Sequence, residues 1–289
     1  MKKKKHLANE LNVPQKIVMY LLLVFIVLIM AVPMWNVLVV ATSSRLSASQ
    51  SGIKLWWDSF SLDGFQYVFT VTKLLRPFLN SLFVTTVATV IQVILSSFAG
   101  YVLIQKDLPF KGAITSFVML TMMIPGDLTL ISVYQLNKQL SLLNSYTGLI
   151  MNGLISGFSI LLMRNFFETV PYSLAEAARI DGAGEVHIFR TIYLPISLPG
   201  LATVFFMEYV SKWNSIMLPA TLVTEQNLYT LPLMLKAMIL TDASTSGTSF
   251  APDNAVMAAI IISTVPLLLI YIFAQQYLLE GMNLGAEKG

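Results

Sequence analysis

The chain has 289 residues, of which 56% are hydrophobic and 11% charged, with a formal net charge of +3 and a mean hydropathy of +0.72. A soluble domain carries about 25% charged residues, so this composition cannot cover a water-facing surface; soluble enzymes, DNA-binding modules and disordered tails are excluded. There is no cysteine, which removes disulfide frameworks, thiolate metal sites and cysteine nucleophiles together.

The chain opens on a basic tail, 1–16, in which Lys2 to Lys5 precede an apolar run. A cleavable secretory signal has an apolar region of roughly 7–15 residues ending in small side chains. This run continues uncharged from Ile17 to Val40, through Pro33 and Trp35, and reads as a first, retained membrane helix. Five more apolar stretches follow, at about 80–104, 113–135, 144–163, 196–218 and 254–279, before a short tail, 280–289. Each reaches the roughly 20 residues that a helical crossing needs. Continuous segments of this kind must be helices, because lipid offers no partner to a bare peptide group. The expected fold class is therefore an all-α membrane protein with six transmembrane helices in one permease domain, 17–279. Six crossings put both termini on one side, and the lysine cluster places that side in the cytoplasm. Eleven of the 18 Lys and Arg residues then fall inside and at most seven outside, among them Arg45, Lys54, Lys73, Arg76 and Lys138. The expected location is the cell membrane, with Lys2 to Lys5 against anionic lipid. His6 and His187 are isolated, so no metal site is expected.

Between the fourth and fifth stretches, the cytoplasmic segment 164–195 parses by local rules. Ser173 with Glu176 three residues later predicts a capping box and a helix start. Ala175, Ala177 and Ala178 favour the helix, and Gly182 with Gly184 stops it in a turn. Glu185 opens a second short helix, with Val186, Phe189, Ile192 and Tyr193 at three- and four-residue steps. Pro195 ends it, and Pro199 bends the start of the fifth stretch. On the residues alone, an amphipathic connector lying on the bilayer and a rigid element transmitting force are both open.

The run Glu176-Ala177-Ala178, Gly182, Ile192, Leu194-Pro195 resembles the complete EAA loop of ABC importer permeases, and Trp213-Asn214 in the fifth stretch resembles the carbohydrate permeases of maltose type. Phe60 to Phe65, Asn80-Ser81 and Leu142-Leu143-Asn144 fit that subfamily as well. The resemblance implies a type I importer permease fold in which this loop is a coupling-helix hairpin held in a cleft of a separate ATPase. It assigns Glu176 to a polar contact with that partner, Gly182 to the turn, and Ala177 and Ala178 to close packing, with Asp181, Ile192, Leu194 and Pro195 completing the coupling set. No Gly is directly followed by Lys, so the chain has no phosphate-binding P-loop of its own. No catalytic residue and no bound cofactor are expected, since ATP and Mg would sit on the partner. The implied partners are a second, related and larger permease, two cytoplasmic ATPase subunits, an extracytoplasmic solute-binding protein and a carbohydrate, with no nucleic acid.

Charges at membrane depth point to a pathway. Glu208 and Lys212 lie four apart, so they share a helix face; they either neutralise each other against neighbouring helices or, with Trp213 and Asn214, line a polar path where a sugar stacks. Asp127, after Pro125-Gly126, either caps a broken helix or meets substrate. Thr241, Asp242, Ser244, Ser246 and Gly247 lie in an outer polar loop, which the resemblance makes a candidate dock for the binding protein. Three other readings make different demands on the sequence. A secondary transporter would show internal repeats, and none is clear. An intramembrane protease would need a His-Glu-x-x-His run or a second carboxylate beside Asp127, and neither is evident. A peptide or amino-acid ABC permease stays as the alternative on substrate.

Overall fold

Helices satisfy peptide groups within one segment, and apolar runs in this chain take that solution. The computed structural model describes residues 12–240 and 251–286. Among the described residues the regular structure is helical, with one isolated β-bridge between Ser43 and Phe60. The chain divides into two units, residues 1–72 with 247–261 and residues 73–246 with 262–289.

In the first unit, α1 (Val13–Ala41) has 29 residues and is about 43 Å long. Gln15 Oε1 accepts the Asn12 N–H at 2.9 Å, and Pro14 occupies the first turn, where its missing N–H leaves nothing unpaired. Its apolar surface is exposed until Val39, Val40 and Ala41, which are buried. After α2 (Arg45–Ala48), the chain returns along the last turns of α1. There the Trp35 indole donates to the Leu55 carbonyl at 2.9 Å, and the Trp57 indole to Thr42 Oγ1 at 2.7 Å. α3 (Asp63–Thr70) then meets the start of the last helix so closely that a Cβ at Gly64 would lie 2.6 Å from the Asn254 carbonyl oxygen.

The second unit is built on α4 (Leu75–Ile104). Its buried face, Ser81, Thr85, Thr89, Gln92, Ser96 and Gly100, recurs at steps of three and four. Small and polar side chains let helix backbones approach where hydrocarbon gives no hydrophobic gain. The unit also holds α5 (Lys111–Met123), α6 (Leu130–Gln139), α7 (Tyr146–Met151), α8 (Gly157–Phe167), α9 (Tyr172–Ile180), α10 (Glu185–Ile188), α11 (Leu194–Ile196), α12 (Leu198–Trp213), α13 (Met217–Leu222), α14 (Leu231–Leu240) and, from Ile262 on, α15 (Asp253–Ala286). α4 packs chiefly against α8 and α12. At the crossing with α8, a Cβ at Gly100 would lie 2.8 Å from the Arg164 backbone nitrogen.

Three expected crossings are broken, among them 196–218, where α12 ends at Trp213 and α13 starts at Met217. In 113–135, α5 stops at Met123, Ile124 is extended, Pro125 has no N–H to give, and Gly126–Thr129 forms one 3-10 turn before α6. In 144–163, residues 152–156 separate α7 from α8. Among the described residues, three helices are alone long and apolar enough to cross a membrane: Val13–Ala41, Leu75–Ile104 and Asp253–Tyr277. Glu185–Ile196 with Leu198–Trp213, bent by 77°, makes a fourth if the pair is one span. Lys2 to Lys5, His6, residues 241–250 and residues 287–289 lie outside the described residues.

Gly100→Val should destabilise the protein by about 1–3 kcal/mol, because the crossing with α8 must open by backbone movement. Gly112→Val, with nothing within 4 Å of its Cβ position, should change little by comparison. Thermal unfolding of the purified protein in detergent compares the two.

Candidate functional site

The segment after α8 folds as two short helices across a glycine turn. α9 does not start from the expected capping box: Pro171 precedes it, and no side chain caps the first turn. Proline's fixed φ suits that position, while Ser173 is exposed within the first turn. α9 ends at Ile180, capped by Asp181; the Gly182 N–H bonds the Arg179 carbonyl and the Ala183 N–H the Ala178 carbonyl. Gly182 has φ +85°, a left-handed conformation that costs a side-chain-bearing residue about 1–2 kcal/mol. α10 starts at Glu185 as expected and runs into a π-helical turn, Phe189–Tyr193. Ile188, Phe189 and Tyr193 are covered, while Val186, which shares their helical spacing, is 78% exposed.

Of the motif residues, Glu176, Ala177, Asp181, Gly182 and Pro195 are exposed, and Ala178, Ile192 and Leu194 are half-buried against the hairpin core. Ala178, Asp181, Gly182 and Ile192 come together in an open groove of about 460 Å³, with His187 and Thr191 on its wall; Glu176, Ala177, Leu194 and Pro195 lie outside it. Beneath sits an aromatic cluster. The Tyr101 ring, from α4, lies 5.0 Å from both Phe189 and Tyr193 and edge-on to Phe167.

Sequence reasoning missed the polar tie across this turn. Arg179 Nε donates to Glu185 Oε1 at 2.6 Å and its Nη2 to Glu185 Oε2 at 3.2 Å. The Tyr101 hydroxyl donates to Glu185 Oε2 at 2.5 Å, and Gln105 Oε1 accepts from Arg179 Nη2 at 3.2 Å. A six-residue separation across a turn matches no helical spacing, and Tyr101 is 84 residues away, so no local signal points to either. The Arg179 guanidinium, and then the Tyr101 hydroxyl, hold the Glu185 carboxyl below the usual carboxylate range.

The second cluster lies deep in the unit. Lys212 Nζ is 3.2 Å from Glu208 Oε2, and their side chains are 17% and 12% exposed, so the expected i,i+4 pair is formed. Two partners come from other helices. Gln92 Oε1 on α4 accepts from Lys212, the Ser159 hydroxyl on α8 donates to Glu208, and Gln92 Nε2 donates to Ser159 Oγ at 3.3 Å. Every charged atom thus has an ionic or hydrogen-bonding neighbour, as burial in low dielectric requires. Lys212 also borders a cavity of about 60 Å³ with Ser81, Thr85, Ser215 and Thr230, room for a few waters.

Trp213 does not fill the stacking role expected for it. Its ring is 1% exposed, parallel to Tyr209 at 5.9 Å and edge-on to Phe78, and its N–H donates to the Ser263 carbonyl at 3.1 Å. A bulky apolar ring with its N–H satisfied is core, and no face is left for a sugar. Asn214 is exposed and donates to the Val210 carbonyl at the end of α12. Asp127 has its backbone in the 3-10 turn between α5 and α6. Thr241, Asp242, Ser244, Ser246 and Gly247 fall outside the described residues. No group of three or more metal-ligating side chains occurs among the described residues.

The profile described as "binding-protein-dependent transport system inner membrane component" matches residues 92–283. The polygalacturonan/rhamnogalacturonan transport system permease protein YtcP of Bacillus subtilis is 33% identical over 239 residues, covering 80% of this chain and 83% of that one. The arabinooligosaccharides transport system permease protein AraQ of Halalkalibacterium halodurans is 28% identical over 268 residues, 92% of this chain and 94% of that one. In the crystal structure of a bacterial ABC transporter that imports the acidic polysaccharide alginate, one chain superposes with a TM-score of 0.82 at 24% identity, covering 91% of this chain and 96% of that one.

Two outcomes are expected. Lys212→Met should cost about 3–5 kcal/mol by stranding the Glu208 carboxylate, and adding Glu208→Gln should restore much of it; a double-mutant cycle on thermal unfolding reads the difference. A carboxyl whose value falls on folding stabilises above its unfolded value of about 4.3 and loses that contribution as pH drops through the folded value. Amide exchange over 172–196, corrected for intrinsic rates, should therefore accelerate below about pH 4. In Glu185→Gln that pH dependence should vanish.

Proposed function

The chain belongs to the binding-protein-dependent transport system inner membrane components, and we propose that it is the permease subunit of an ATP-driven importer of carbohydrates, most simply oligosaccharides. Within this reading the chain crosses the membrane six times with both termini in the cytoplasm, counting the broken and bent helices as crossings. It forms half of the translocation path, and a second permease supplies the other half.

The observation that carries the coupling role is the glycine turn. Two helices are clamped by Arg179 and Glu185 across a left-handed Gly182 and seated on an aromatic base, and in this reading they move as one body. A packed helix pair transmits force where a loop would absorb it. The exposed face of that body, Glu176 and Ala177 with the groove at Asp181 and Gly182, is the part a cytoplasmic ATPase holds. ATP and Mg stay on that partner, and two such subunits serve the permease pair. The carbohydrate assignment is supported by two relatives, whose names specify polygalacturonan/rhamnogalacturonan and arabinooligosaccharides. The polar cluster at Glu208 and Lys212 belongs to the wall of the path and Asp127 to its outer part, while the loop holding Thr241 to Gly247 receives an extracytoplasmic binding protein.

The test is reconstitution of the full complex in vesicles with a panel of oligogalacturonides and arabino-oligosaccharides. Uptake should require ATP and the cytoplasmic subunit and should survive ionophores. Gly182→Val should lower uptake by roughly tenfold or more while the complex still assembles, because the turn loses its left-handed residue. Uptake without the ATPase, or normal uptake by Gly182→Val, would overturn the proposal.

A further inference from the structure

The backbone runs from α8 through the hairpin into α12, so those two helices follow the hairpin by covalent connection. α4 has no such link and meets the hairpin through side chains alone. Two kinds of contact are present. Tyr101 packs among Phe167, Phe189 and Tyr193, and its hydroxyl reaches one oxygen of Glu185. The other Glu185 oxygen, with part of the first, is held by the Arg179 fork from α9.

We propose that Glu185 is a positioning residue that makes α4 travel with the hairpin, bonded by Arg179 on one side and by the Tyr101 hydroxyl on the other. The inference rests on the hairpin being a lever driven by an ATPase. Aromatic contacts are weakly directional and permit sliding, whereas a hydroxyl–carboxylate bond fixes both a length and a direction. A staple confined to the hairpin would need Arg179 and Glu185 but would not need α4. Gln105, the residue that closes α4, accepts from Arg179 as well, so a second bond reaches the end of that helix. Further along, α4 holds Gln92 against Lys212 and places Ser81 and Thr85 on the cavity beside it. A hairpin displacement carried into α4 therefore reaches the polar cluster by a route separate from the covalent one through α12.

The chain has no native cysteine, so two spin labels attach only where they are placed in it. Arg190→Cys, exposed on the hairpin, and Leu82→Cys, exposed near the far end of α4, are labelled in the assembled complex. Their distance distribution is measured with and without ATP and Mg. With native side chains elsewhere it should stay narrow in both states. In Tyr101→Phe and in Glu185→Gln it should stay narrow without nucleotide and broaden roughly twofold with it, as α4 lags behind. Distributions that remain narrow with ATP would overturn the inference. So would broadening already present without ATP, which marks a folding staple. A label at Arg190 whose line shape ignores ATP would sink the lever reading and this inference together; a responsive label with narrow variants would sink this inference alone.

Discussion

A charge or hydrogen-bonding group removed from water must find its partner inside the protein, and that requirement organises the second unit. Apolar side chains gain little by leaving hydrocarbon for one another, so close fit and polar contact do the sorting between membrane helices. Gln92, Ser159, Glu208 and Lys212 come from three helices and complete one another's bonding. No member of this set is satisfied by its own helix alone. The lysine and glutamate fix how α12 is rotated, and the glutamine and serine fix what faces it.

The same helix, α4, serves both clusters. Near one end it offers Tyr101 to the hairpin, with Gln105 just past that end, and toward its middle it offers Gln92 to the buried Glu208–Lys212 pair. Between them lie Ser96, Ser97 and Gly100, small enough for α8 to lie almost backbone to backbone. The arrangement gives a permease two properties at once, a tight bundle and a polar seam through it.

What the sequence made legible was whatever depends on near neighbours along the chain. Long uncharged runs predicted helices, the four-residue spacing of Glu208 and Lys212 predicted their pair, and Gly182 predicted the left-handed turn. The local signals that misled were real but outcompeted. Ser173 and Glu176 have capping-box spacing, yet Pro171 sets the helix start two residues earlier than a Ser173 cap would. Val186 has helical spacing with Ile192 and Tyr193, yet a π turn lies between them and Val186 is exposed. Trp213 looked like a platform for a sugar because nothing in its own segment announces Tyr209, Phe78 and Ser263 as its covering. Glu185 read as a helix opener only. Its partners lie six residues away across a turn and 84 away on another helix, distances that no periodicity encodes.

The bend at Ser197 carries one more implication. Pro195 and Pro199 flank it, and Pro199 has no N–H to return to the carbonyl four residues before, so the corner is set by the chain itself. Its two arms meet at 77°. A push along the shorter arm thus arrives almost crosswise on the longer one, and α12 receives it as torque. The hairpin would swing that helix like a crank, tipping its far end sideways, where a straight connection would have driven it through the membrane like a piston.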